Sequence, residues 1–337
     1  MEIVKYSDQW FQPTIDLLEH LWHHLSPSQR AVKFMWRYLQ NPHTANPFIA
    51  VAVENGQVAG FRAFVGQRFV LNHQPLMVFS PADAVVNPAF RRLGLFSKLN
   101  RALRADVERD TSIPACILNL SSNNLSTPGY LKLGWQSTAF PKRYAYGLSP
   151  LLKVFGRWQG SDLSGTEVGV SDELHSGALS LVWQQRVDAG CITPLHDELW
   201  YRWRYSEPGK SFLYVYARVG DRLSGWLIAE RAGRNQIVVL EHSADSPVVL
   251  NHLAQAAARH AGAWVVRFRL FADSASQQIV KAGCLAEPSL LLRLRQSRRL
   301  PALVRPVASD PVPADWLIHD TDIRKASHWT LSQSEVH

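Results

Sequence analysis

The stretch 83–100, Asp-Ala-Val-Val-Asn-Pro-Ala-Phe-Arg-Arg-Leu-Gly-Leu-Phe-Ser-Lys-Leu-Asn, has the residue types and spacing best suited to chemistry. A strand ending at Asn87-Pro88 runs into a basic, glycine-containing turn, and a helix opens near Leu95. The first backbone N–H groups of a helix have no intrahelical acceptor and carry the positive end of its dipole. Such a helix start is an anion site suited to a pyrophosphate. Gly94 lets the backbone approach a ligand closely, and Arg91, Arg92 and Lys98 add positive charge. Other phosphate loops are absent: there is no GxxxxGK-Ser/Thr, and no GxGxxG follows a strand.

Other reactive side chains read as structural. Cys116 sits mid-strand in Ala-Cys-Ile-Leu and suits a small core residue better than a nucleophile. His20, His23 and His24 have helical spacing but no accompanying carboxylate or cysteine pattern, so they read as a polar helix surface and no metal is expected. Trp36-Arg37-Tyr38 recurs as Trp203-Arg204-Tyr205; these residues could line a substrate cleft, but repetition favours packing for the aromatics and leaves the arginines undecided. Arg293, Arg295, Arg298 and Arg299 form a basic cluster that reads as a solvated face.

The elements that position these residues follow from periodicity. A strand at 2–6 precedes a helix from residue 8 to about Leu25, with an apolar face of Ile15, Leu18, Leu21, Trp22 and Leu25. Ser26-Pro27 opens a second helix to about Gln40. Strands at 48–53 and 58–64 flank an Asn55-Gly56 hairpin turn, and further strands follow at 66–73 and 76–87. A helix at 95–109, a strand at 115–120, a helix at 124–133 and a strand at 137–147 complete a mixed sheet with helices on it. Residues 149–175 read as a linker.

The pattern then repeats. Trp36, Pro42, a strand, a turn and Gly60 return as Trp203, Pro208, a strand, a Gly220-Asp221 turn and Gly225. The second copy continues with a strand at 236–242, a helix at 247–261, a strand at 263–270, a helix near 275–282 and a strand at 289–295. The expected division is 1–148 for the first unit, 149–175 for the linker, 176–300 for a second, degenerate unit and 301–337 for an extended tail.

Composition sets the outer bounds. The chain has 337 residues, 46% hydrophobic and with twelve tryptophans, enough for two packed units and too apolar for wholesale disorder. No apolar run has the length of a membrane span, and no secretory signal is visible at the N-terminus. Three scattered cysteines fit neither a disulfide scaffold nor a zinc cluster. The expectation is a reduced, cytoplasmic protein. The net charge of +8 permits an anionic partner without choosing one, and most of the surplus lies in residues 1–150.

On the residues of the basic turn, the chain resembles the GCN5-related N-acetyltransferase (GNAT) family. That family's acyl-CoA loop is Arg/Gln-x-x-Gly-x-Gly/Ala after a strand ending Val-x-Pro. Here Val86-Asn87-Pro88 precedes Arg91-Arg92-Leu93-Gly94-Leu95-Phe96, with Phe96 at the last small position. Asn123 and then Tyr130-Leu131-Lys132-Leu133-Gly134-Trp135 are similar to the family's downstream Asn and Tyr-x-x-x-Gly-Phe/Trp. The resemblance covers residues 2–148 and is fainter in the second half, where Ser243-Ala-Asp-Ser-Pro-Val-Val replaces the loop.

The resemblance implies an α/β fold of the α+β type: two GNAT-like domains, each a mixed, mostly antiparallel sheet flanked by helices. It implies acetyl-CoA or another acyl-CoA as cosubstrate, with direct transfer to a primary amine of a small molecule or sugar. Main-chain groups near Val85 and Val86 would pair with the pantetheine arm, and amides from Leu93 through Gly94, Leu95 and Phe96 to Ser97 would hold the pyrophosphate, beside Arg91 and Arg92. Asn123 would bond the pantetheine or fix the start of its helix. Tyr130 would protonate the leaving thiolate. Asp83 is the candidate base, directly or through a water, although a free aspartate, with a pKa of about 4, needs burial or a relay for that task. Two other classes stay open: an aminoacyl-tRNA-dependent peptidyl transferase of tandem GNAT-like fold, against which the loop argues, and a non-catalytic CoA-binding scaffold.

Overall fold

The structure is a computed structural model that describes residues 1–138, 140, 143–158, 165–184, 190–270, 273–286 and 302–335. The first half builds β1 (Glu2–Lys5), α1 (Phe11–Leu17), α2 (Pro27–Phe34), β2 (Phe48–Glu54), β3 (Gln57–Leu71), β4 (Gln74–Val86), α3 (Leu95–Asp110), β5 (Ala115–Asn119), α4 (Thr127–Lys132) and β6 (Gln136–Thr138). Local chemistry accounts for much of this. Ser26 and Gln29 form a reciprocal cap at the start of α2, with Pro27 in its first turn. Asn55 and Gly56 both take positive φ, +50° and +75°, and close the β2–β3 hairpin.

Three local expectations change. The helix expected from residue 8 begins as an α-helix only at Phe11, because Pro13 is tolerated in a first turn and not deeper. The strands expected at 58–64 and 66–73 are one continuous strand, β3. The second helix ends its α-geometry at Phe34 and continues as a π-helical turn, Met35–Leu39, which carries Trp36, Arg37 and Tyr38.

The second half builds β7 (Arg143–Leu148), α5 (Ser149–Trp158), β8 (Thr166–Ser171), α6 (Ser176–Gln184), β9 (Thr193–Pro194), α7 (Glu198–Arg204), β10 (Phe212–Val219), β11 (Arg222–Arg231), β12 (Gln236–Ala244), α8 (Pro247–Ala261), β13 (Val265–Leu270), α9 (Asp273–Lys281), β14 (Leu285–Ala286) and β15 (Ala302–Pro306). The first sheet has the order β1-β2-β3-β4-β5-β15-β6, with β9 added on β3, and the second has β8-β10-β11-β12-β13-β7-β14. Each order has one parallel pair, β4–β5 and β12–β13. The two orders match position by position, and the halves exchange one strand each.

That exchange corrects the expected organisation. The single strand expected at 137–147 is two strands in different sheets: β6 stays in the first, while β7 pairs with β13 in the second. Within the segment read as a linker, β8 is an edge strand of the second sheet. The tail read as extended supplies β15, which lies between β5 and β6. Periodicity identifies a strand, but the sheet that accepts it depends on backbone partners far away in the chain. The strand expected at 289–295 and the arginine cluster from 293 to 299 lie outside the described residues.

The duplicated tripeptides meet. The rings of Trp36 and Trp203 stack 5.3 Å apart, and each indole N–H donates to the other residue's carbonyl at 2.8 Å. Around them one apolar core joins Phe34, Tyr38 and Phe61 of the first half to Trp200, Tyr201 and Trp226 of the second. Gly60 lies under Leu95 and Leu99 of α3, as Gly225 lies under Val249 and Leu253 of α8. The repeated residues therefore hold equivalent places in two copies of one fold.

Candidate functional site

The site forms where two strands part. β4 and β5 pair in parallel only over Met77–Phe79 and Ala115–Ile117. Beyond that point β4 continues to Val86 on β3, and its other edge is left without β5. The Asn87 N–H donates to Ala59 O on β3 at 2.9 Å, so strand alternation turns the backbone groups of Val85 toward β3 and those of Val86 toward the gap. A bulge interrupts the β3–β4 register, with Asp83 as the extra residue at φ +38°.

From the gap the chain enters the basic loop. Arg92 and Gly94 both take left-handed conformations, φ +66° and +72°. Gly94 is the N-cap of α3 and has no side chain to cap with, and the first intrahelical bond runs from Lys98 N–H to Gly94 O. The N–H groups of Leu95, Phe96 and Ser97 therefore lack intrahelical acceptors. Arg91, Arg92, Leu93 and Lys98 are exposed, and none of the three cations has an acidic partner among the described residues. Behind the loop, a cavity of about 460 Å³ between α3 and the end of α4 is lined by Arg101, Arg104, Lys132 and Arg305.

α4 closes the other side. Asn123 is exposed, and its Oδ1 accepts from the N–H groups of Leu125 and Ser126, so it fixes the approach to this helix. Tyr130 is buried, with its ring 5.1 Å from Phe96 and 4.8 Å from Trp135. Its hydroxyl accepts hydrogen bonds from the Arg62 guanidinium and from the Asn119 side chain. Burial pushes the phenol pKa up, and those two donors offset part of the rise. Phe96, at the position where the family motif is small, thus reaches from the loop to the candidate acid. Cys116 lies in the core, where burial pushes its thiol pKa up.

Asp83 lies at the opposite side of β4's open edge, held by the π-helical turn. Arg37 pairs with its Oδ2 at 3.1 Å, and the Tyr38 hydroxyl donates to the same oxygen at 2.5 Å. Its Oδ1 has no partner among the described residues. The packing expected of the tripeptide's aromatics holds for Trp36, whereas Tyr38 and the undecided Arg37 meet Asp83. Arg62 was missed outright: a lone arginine inside an apolar strand carries no motif.

Phe96 also constrains α4. A Cβ at Gly129 would meet its ring at 2.8 Å. Alanine ordinarily stabilises a helix interior by about 1 kcal/mol over glycine. We expect Gly129→Ala to be destabilising instead, by about 1 kcal/mol as Phe96 is displaced, which denaturant unfolding will measure.

The second copy provides an internal comparison. By register from the repeated glycines, sheet face and hydrogen-bond pattern, Arg62 and Tyr130 correspond to Leu227 and Ile279, and Asp83, bonded by Tyr38, corresponds to Glu241, bonded by Tyr205. Gly94 corresponds to Ser246, whose hydroxyl caps its own helix by accepting from the Val249 N–H. On β12, Glu241 receives hydrogen bonds from Tyr201 and Tyr205 and faces His196, which also meets Glu335.

The sheet order and the parted parallel strands, both present twice, with the glycine-capped helix of the first copy, define a GNAT fold. No family model matches the chain, and no curated protein matches it in sequence. Solved structures do match. A probable N-acyltransferase from Enterococcus faecalis superposes with a TM-score of 0.67 at 11% identity, over 90% of this chain and 71% of that one. A GCN5-related N-acetyltransferase from Anabaena variabilis gives 0.65 at 13% identity, over 91% and 73%. More particularly, the arrangement is similar to a tandem GNAT protein from the clavulanic acid biosynthesis pathway, with a TM-score of 0.55 at 13% identity over 92% of this chain and 99% of that one.

Proposed function

We propose that the first unit is an acyl-CoA-dependent N-acyltransferase that moves an acyl group directly to a primary amine, with the second unit as its non-catalytic copy. The observation that carries this is the uncapped start of α3, opening beside the free edge of β4 with a buried phenol across the gap. The backbone of Val86 suits the pantetheine arm, as an added strand would be bonded. The N–H groups from Leu93 to Ser97, with Arg91 and Arg92 alongside, suit the pyrophosphate, and the basic cavity suits a further phosphate.

Asp83, fixed by Arg37 and Tyr38, serves on the acceptor side, where its free Oδ1 takes a proton from the amine directly or through a water. Tyr130 donates to the leaving sulfur. The acceptor class we favour, a small molecule or sugar amine, rests on resemblance. The three free cysteines suit a reducing cytoplasm, and among the described residues no helix is long and apolar enough to cross a membrane.

Acetyl-CoA well above its Kd should raise the unfolding temperature by about 5 °C. Gly94→Glu should abolish the shift, because it sets a carboxylate where the pyrophosphate belongs. Gly94→Ala has the same left-handed backbone strain of about 1–2 kcal/mol and no added charge, so it should keep a reduced shift. A shift with tRNA and none with any CoA ester would favour the aminoacyl-tRNA reading. Binding without turnover would favour the scaffold.

A further inference from the structure

Arg62 is only 4% exposed and lies on β3 beneath the parted strands. Among the described residues it has no carboxylate partner, and its Nε has no hydrogen-bond partner at all. Its guanidinium carbon stands 5.7, 5.8 and 5.6 Å from the ring centres of Phe64, Phe96 and Tyr130. Aromatic faces hold a cation in place without neutralising it. A buried, uncompensated charge is costly to any fold, and a requirement for packing would be met more cheaply by an apolar residue. The second copy has that solution: Leu227 at the place of Arg62, and Ile279 at the place of Tyr130. The cation and the phenol are present together in one copy and absent together in the other.

Resting on the acyl-transfer reading, we propose that Arg62 is a positioning residue acting through Tyr130. It holds the phenol with its proton turned into the gap and supplies the positive charge against which the coenzyme's sulfur departs. The geometry is that of an oxygen prepared for negative charge. Arg62 donates to the Tyr130 oxygen, so the phenol's own proton must point elsewhere.

In the transfer step the acceptor nitrogen bonds to the thioester carbonyl carbon and the C–S bond breaks. The sulfur's electron pair takes the Tyr130 proton, leaving free CoA thiol and a tyrosinate facing Arg62. The proton lost by the amine passes to Asp83 and on to solvent, and solvent reprotonates Tyr130.

The test uses the product, so it needs neither the acceptor nor turnover. Affinities of CoA and S-methyl-CoA are measured by calorimetry from about pH 7 to about pH 9, across the ordinary thiol range. In the parent protein CoA should tighten about tenfold relative to S-methyl-CoA as its thiol ionises against the Tyr130–Arg62 pair. Arg62→Met should bind S-methyl-CoA as the parent does and lose this gain to less than about twofold, and Arg62→Lys should restore part of it. An equal gain in Arg62→Met, or none in the parent, overturns the proposal while leaving CoA binding intact. Failure of the parent to bind either ligand overturns the acyl-transfer reading itself.

Discussion

Tyr130→Phe should leave acetyl-CoA bound, with its thermal shift preserved, and slow acyl transfer by about two to four orders of magnitude, the usual contribution of a positioned acid. The substitution removes one oxygen and keeps the ring, so the packing against Phe96 and Trp135 persists. Lost are the proposed proton donor and, among the described residues, the only side-chain hydrogen-bond partner of the Arg62 guanidinium. A stability loss of about 1–3 kcal/mol should accompany the change, because a buried donor is left unsatisfied. The kinetic effect belongs in kcat, with KM for acetyl-CoA little altered, since the phenol acts as the C–S bond breaks. Thiol release at saturating acetyl-CoA with an accepted amine measures it. An unchanged kcat removes Tyr130 from the mechanism.

The second large effect concerns the second copy. His196→Leu should destabilise the protein by about 3–5 kcal/mol, as expected when one partner of a buried ion pair is removed. The imidazole is fully buried, stacked 3.7 Å from Trp200 and 4.2 Å from Trp183, with Glu241 at 2.8 Å on Nδ1 and Glu335 at 2.7 Å on Nε2. Leucine fills the space and leaves two buried carboxylates facing each other's charge.

The same cluster sets a pH dependence. Burial alone would lower the His196 pKa, but the two carboxylates outweigh it and raise it from 6.5 to about 9. The charged imidazole therefore contributes fully below pH 6.5, and its contribution, on the order of 3 kcal/mol, is lost as pH rises through about 9. Glu335, held below its ordinary 4.5 by His196 against the opposing effect of burial, adds stability above pH 4.5 that is lost on further acidification. Denaturant midpoints measured from pH 6 to about pH 9 should fall in the parent. A flat parent profile would refute the charged-imidazole assignment.

The cluster also explains what became of the second copy. Ser246 occupies its own helix start, and Glu335 approaches β12 from the chain's end, through a short 3-10 turn at Gln333–Glu335. Polar groups that the first copy leaves open are satisfied internally in the second. The resulting asymmetry is chemical, laid over equivalent topology.

The sequence alone determined the local devices. The Ser26-Pro27 cap, the Asn55-Gly56 turn and the glycine before α3 all act within a few residues, so side-chain type is enough to specify them. Asp83 and Tyr130 stand as candidates on the motif spacing around them. Only the tertiary structure decided the rest. The exchange of β7 and β15 depends on which distant edge offers backbone partners, and strand periodicity has no record of that. The π-helical turn that aims Arg37 and Tyr38 at Asp83 arises where the shared core meets β4. Arg62 acquires its meaning from the rings of Phe64, Phe96 and Tyr130, brought together from three separate elements. Local conformation is fixed by short-range sterics and hydrogen bonds, whereas a buried charge is defined by what surrounds it, and here that comes from across the fold.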